Sequence, residues 1–131
     1  MPSKENIKVG SKGIRYGGQD PKMGITYATT DTVELGDIVA PSGVAGTVSR
    51  PADGGKILGL VISKERDAVC GVRTGLVHIA RATGAVTPGF TDLAGDGAGG
   101  VKAVAAGSGT PCHVLGTEVD TGQTYVAFHV L

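Results

Sequence analysis

No stretch of about eleven residues in this chain carries an apolar i, i+3, i+4, i+7 stripe unbroken by glycine or proline. That rules out a helical core and leaves strands as the regular element. Strand signals are abundant: "ITYATT", "DIVA", "AGTVS", "ILGLVIS", "AVCGVR", "GLVHIAR", "VKAVA", "CHVLGTEV" and "QTYVAFHV" are short and rich in β-branched residues. Gly, Pro, Asp or Ser clusters separate most of them. In the last segment Thr124, Val126, Phe128 and Val130 face one way and Tyr125, Ala127 and His129 the other, the two-residue period of a strand. The expected fold is all-β: a compact barrel or sandwich of short antiparallel strands, with 131 residues sufficing for one modest core.

The 23 glycines, against about 9 expected at ordinary usage, belong to the turns such a fold needs. They show no three-residue period, so collagen is excluded. The densest run, "FTDLAGDGAGGVKAVAAGSG" at 90–109, is not a phosphate loop, because no Lys-Ser/Thr pair and no helix follow it. Asp92 and Asp96 lack the spacing and closing Glu of a calcium loop. The run reads as a turn.

The two halves of the chain echo each other. "VELGDIVAPSG…GGKILGLVISKERDAVCGVRTG" and "AVTPGFTDLAGDGAGGVKAVAAGSGTPCHVLGTEVDTGQTYVAFHV" run through strands and turns in the same order. Gly36 aligns with Gly89, Leu58-Gly59 with Leu115-Gly116 and Asp67 with Asp120. Two such halves are expected to close into one barrel or face each other as a sandwich.

Residues 1–30 form a separate region, ahead of a β-domain over 31–131. The first carries five basic and two acidic residues, a balance of +3; the second is at −3, and the whole chain is neutral. The arm is broken by glycine and has isolated apolar residues at Ile7, Val9, Ile14, Tyr16 and Met23. It is either a frayed terminus or an extended arm that orders on a partner, those five residues entering pockets there.

Catalytic signatures are missing. His78, His113 and His129 form no metal-binding pattern, and Ser108 lacks a nucleophile elbow. Glu65/Asp67 and Glu118/Asp120 fall in expected turns, where solvation is their ordinary role. Neither Lys56 nor Lys102 has the attachment signature of a lipoyl or biotin carrier. Cys70 and Cys112 read as buried thiols. The expectation is no enzyme, no cofactor and no metal. Scattered basic residues among few aromatics argue against nucleic acid, and the lack of a long apolar run argues against a membrane-spanning helix.

The strings "VELGDIVAPSG", "ILGLVISKERDAVCGVRTGLV" and "PCHVLGTEVDTGQTYVAFHVL" together resemble the capsid cement or head decoration proteins of tailed bacteriophages, over about residues 31–131. The resemblance implies an all-β protein on the outer surface of the virion, assembled in the host cytoplasm. It would bind the phage major capsid protein, cement neighbouring subunits and form a homo-oligomer, a trimer favoured over a dimer. It brings no catalytic residues. The competing expectation is a small-molecule or carbohydrate-binding β-barrel module.

Overall fold

The same five-strand pattern is built twice in succession, and this repeat organises the molecule. The computed structural model describes residues 4, 6–9, 14–17, 24–29 and 33–131, with backbone only at 6, 8–9 and 14–17. Among the described residues there are twelve strands and no helix: β1 Asn6–Val9, β2 Ile14–Gly17, β3 Ile25–Thr29, β4 Ile38–Pro41, β5 Thr47–Ser49, β6 Gly59–Glu65, β7 Val69–Arg73, β8 His78–Arg81, β9 Gly89–Gly95, β10 Val101–Val104, β11 Thr110–Asp120 and β12 Gln123–Val130. Strands β3-β5-β4-β6-β7 close into a barrel, because β7 returns to pair with β3. Strands β8 to β12 form a second, curled sheet in the order β10-β9-β11-β12-β8.

Joined across the Ala82–Val101 bridge and started from β8, the second order is β8-β10-β9-β11-β12, the first barrel's order moved on by five strands. The registers agree as well. The parallel pair Thr29↔Val48 reappears as the bridge Ala82↔Val101, each partner 53 positions later. The antiparallel pair Ile25↔Val72 reappears as His78↔Phe128. Both long hairpins slip register at the same place, between Val61 and Ser63 in β6 and between Val114 and Gly116 in β11. A bulge inserts one extra residue into a single strand, so its repetition is a strong mark of common architecture. Gly36, ahead of β4, and Gly89, the first residue of β9, have φ of 87° and 113° and both face the position held by Val61 in β6 and Val114 in β11.

The interior positions repeat with them. Val33, Val39, Val48, Val61, Cys70 and Val72 fill the first barrel. Their counterparts Val86, Leu93, Val101, Val114, Val126 and Phe128 lie in the second core. Alternation along the strands then turns Ile38 and Leu60 outward from the first barrel, where with Ile57 they join the second core. The two units therefore share apolar surface, and β6 lies beside β8.

Three features differ from the sequence expectations. Each half closes, or nearly closes, on itself; they do not build one barrel jointly. Within the expected arm, Ile25–Thr29 is a barrel strand, because its backbone completes the ring between β5 and β7. Of the three aligned marks, only Gly36/Gly89 are structural counterparts. Leu115-Gly116 matches the bulge at Ile62-Ser63, and Asp120 ends a strand whereas Asp67 lies within a turn.

A third, smaller cluster lies on the outer face of β8 and β12. Ile79, Tyr125 and Ala127 point away from the second core and are covered by Ile7 of the β1–β2 hairpin.

Candidate interaction surface

The joint between the two units is built from residues that the sequence scatters. The β9–β10 turn, residues 96–100, rests on the first barrel at Asp37 and the segment Pro51–Asp53. Gly95 and Gly99 make this possible. A Cβ at Gly95 would strike the Pro51 ring, and one at Gly99, whose φ is 89°, would strike the Asp37 carboxylate. Backbone bonds lock the contact: Gly54 N–H donates to Gly95 O at 2.9 Å, Gly95 N–H to Gly55 O at 2.8 Å and Ile38 N–H to Gly99 O at 2.8 Å. The glycine run does turn a corner, between β9 and β10, and its lack of side chains also lets the corner sit flat against its neighbour.

Beneath that turn Asp37 is fully buried. Its Oδ1 accepts from Arg81 Nη2 and its Oδ2 accepts from Arg50 Nε at 2.7 Å and from the Glu34 backbone N–H at 2.8 Å. A buried carboxylate so enclosed is satisfied, but removing one partner would leave a charge stranded. Asp96 orders the turn itself, accepting from Ala98 N–H, Gly100 N–H and Thr83 Oγ1 at 2.8–2.9 Å. Asp92 accepts from Gly107 and Gly109 N–H. Both aspartates of the run hold backbone amides.

At the opposite end of the second sheet an open pocket of about 320 Å³ lies between the start of β9, the segment after β10 and the C-terminus. Phe90, Val104, Ala106, Pro111 and Leu131 supply its apolar wall. Phe90 is 84% exposed and Leu131 64%. Beside it, His113 Nδ1 and His129 Nε2 are 3.0 Å apart on paired positions of β11 and β12, with the Phe90 ring 5.8 Å from that of His113. One imidazole donates a hydrogen bond to the other, in the direction the tautomers set. Among the described residues, no group of three or more His, Cys, Asp and Glu gathers as a metal ligand set.

His78 lies inside, packed on Phe128 with ring centroids 5.5 Å apart. Neither ring nitrogen has a hydrogen-bond partner among the described residues. Burial, reinforced by the nearby Arg73 charge, pushes its pKa down to about 4. The two cysteines are free and buried in different cores. Burial raises both thiols, Cys112 to about 11.

Of the five arm residues expected to meet a partner, Ile7 is fully buried within its own chain. A side chain spent on Ile79 and Tyr125 is not presented outward. The side chains of Val9, Ile14 and Tyr16, and all of Met23, lie outside the described residues. The arm is further held by Lys4, whose Nζ is 3.2 Å from Asp120, 3.8 Å from Glu118 and 5.8 Å from the centre of the Tyr125 ring. The Lys4 contact, followed by that of Thr121, lowers the Asp120 pKa. Sequence reasoning missed Phe90 and Leu131. The only available signal was the Gly36/Gly89 alignment, which sets Phe90 opposite Asp37. No family model, curated protein or solved structure matches this chain.

Proposed function

We propose that this protein is a structural component of a phage virion, which binds the outer surface of an assembled capsid, cements neighbouring major capsid subunits and carries out no catalytic step. The observation that carries the reading is the placement of large apolar side chains at the tips of a braced β-frame. Val44 in the β4–β5 turn and Leu76 in the β7–β8 link are each 62% exposed, and Val119 near the end of β11 is 67% exposed. Leu76 also has a φ of 60°, a strained backbone with no burial in its own chain to offset it. Residues of this kind suit contact with another protein's surface, and many weak contacts repeated over a lattice add up. The ligand-binding alternative is less well supported, because side chains fill the interior of both units.

The test is co-sedimentation with expanded heads assembled from the major capsid protein of the same genome. Saturable pelleting with the heads is expected, with Leu76→Asp reducing retention about tenfold while leaving thermal unfolding unchanged. Protein that stays in the supernatant at every ratio would overturn the proposal.

A further inference from the structure

The repeat shows one joint being used within the chain and the two matching faces of that joint standing open at its ends. The contact between the units has two sides. One is a seat on the first barrel: Asp37, Pro51, Ala52 and Asp53. The other is a turn on the second sheet, residues 96–100, with Arg81. Each side has a counterpart in the other half. The seat's counterpart is Val104, Ala105 and Ala106 with Phe90 beside them, and Phe90, Val104 and Ala106 line the open pocket. The turn's counterpart is the β4–β5 turn, residues 42–47, with Ala28.

Equivalence of these segments rests on their hydrogen bonds. In one turn Ser42 N–H donates to Thr47 O at 3.0 Å; in the other Asp96 N–H donates to Gly100 O at 3.1 Å. Val44 N–H donates to Ser42 Oγ as Ala98 N–H donates to Asp96 Oδ1. In the seats, Gly55 N–H donates to Ala52 O at 2.8 Å and Ser108 N–H to Ala105 O at 2.9 Å. Their exposure is opposite. The glycines of the second turn are packed, whereas a Cβ at Gly43 or Gly46 in the first would meet nothing within 4 Å.

We infer that the β4–β5 turn of one copy docks in the Phe90–Leu131 pocket of a second copy, repeating head to tail the joint that holds the two units of one chain together. The chemistry has changed on both sides at once. Arg81, the cation of the internal joint, corresponds to Ala28. Pro51 and Asp53 of its seat correspond to Val104 and Ala106, and Ala98 at the tip to Val44. Phe90, which pairs with His113 as Ile38 pairs with Leu60, stands one position on from the place of Asp37. A charged pair has become an apolar set, so the external contact needs no buried charge. Outward Ile57 and Leu60, which enter the second core, correspond to Thr110 and His113. The first barrel is already closed by β3 and β5, so it has no seam to receive them. Polar residues there also suit a face that meets water before a partner arrives. A head-to-tail contact closes into a ring or extends as a fibre, according to its rotation.

Sedimentation of the purified protein alone tests this separately from capsid binding. The wild type is expected to run as a multimer. Val44→Asp and Phe90→Asp should each weaken self-association by at least about tenfold and leave circular dichroism and thermal unfolding unchanged. Val44→Ser and Phe90→Ser should act in the same direction, more mildly. Mixed together, the two Asp variants should form a two-copy species, because one retains an intact pocket and the other an intact turn. A monomeric wild type, an Asp variant with wild-type mass, or a mixture that stays monomeric would each overturn the inference.

Discussion

The first barrel and the second sheet share topology, bulge and six interior positions, yet only the first closes through a strand pair. The interior side chains account for the difference. Where the barrel has Val39 and Val72, the sheet has Leu93 and Phe128. Larger side chains need a wider interior, and β8 and β10 meet only at the single bridge between Ala82 and Val101. The surplus volume is completed by Ile38, Ile57 and Leu60 from the neighbouring barrel. One repeat is thus self-sufficient, while the other is finished by its twin. Repeats that begin alike diverge where one must lean on the other.

The largest expected effect breaks the comparison at its sharpest point. Asp37→Ala should cost about 3–5 kcal/mol in urea unfolding, since it leaves the buried Arg81 without its carboxylate. Phe90→Ala, beside the open counterpart of that seat, should change monomer stability by less than about 0.5 kcal/mol. Equal losses at the two positions would show that the joint and its open counterpart are not opposites.

His78 offers a second contrast, because its first-barrel counterpart is Ile25. With a folded pKa near 4 and an ordinary value of 6.5, His78 is neutral in both states above pH 6.5. As pH falls below that, the unfolded chain takes the proton first. Stability should therefore decline by about 3 kcal/mol between pH 6.5 and 4, at about 1.4 kcal/mol per pH unit, and then level off. Carboxylates also titrate near the lower end, so the measurement is the difference between wild type and His78→Leu. Identical pH profiles would remove His78 from the account.

The smallest effect concerns the hairpin ends. The β11–β12 turn places Thr121 at φ 51° followed by Gly122 at 78°, a pair of positive angles that favours Asn-Gly. Thr121→Asn should raise stability by about 0.5–1 kcal/mol, read as a higher urea midpoint.

Much of this architecture is visible in the chain itself. The alternation of "TYVAFHV" assigns the faces of β12 correctly, because period two follows from strand geometry alone: Val126 and Phe128 enter the core, while Tyr125 and Ala127 face outward. The echo between halves is also visible, but its alignment is not. A repeated "LG" pulls Leu58-Gly59 onto Leu115-Gly116, whereas the true match depends on a bulge that exists only once strands pair. Ile7 sits among glycines and charges with no local pattern, and its burial depends on residues more than seventy positions away. Phe90 is hidden for the opposite reason: in "GFTDLAG" the alternation fits a strand whichever way its outer face turns, and only the tertiary structure leaves that face open.

The contact between Lys4 and Asp120 spans 116 positions of sequence. During synthesis Lys4 and Ile7 emerge before β12, yet the surface that receives them exists only after the β11–β12 hairpin is made. A chain interrupted before Gln123 would leave Ile7 without Tyr125 and Ala127, so the clasp reports that the β11–β12 hairpin has formed.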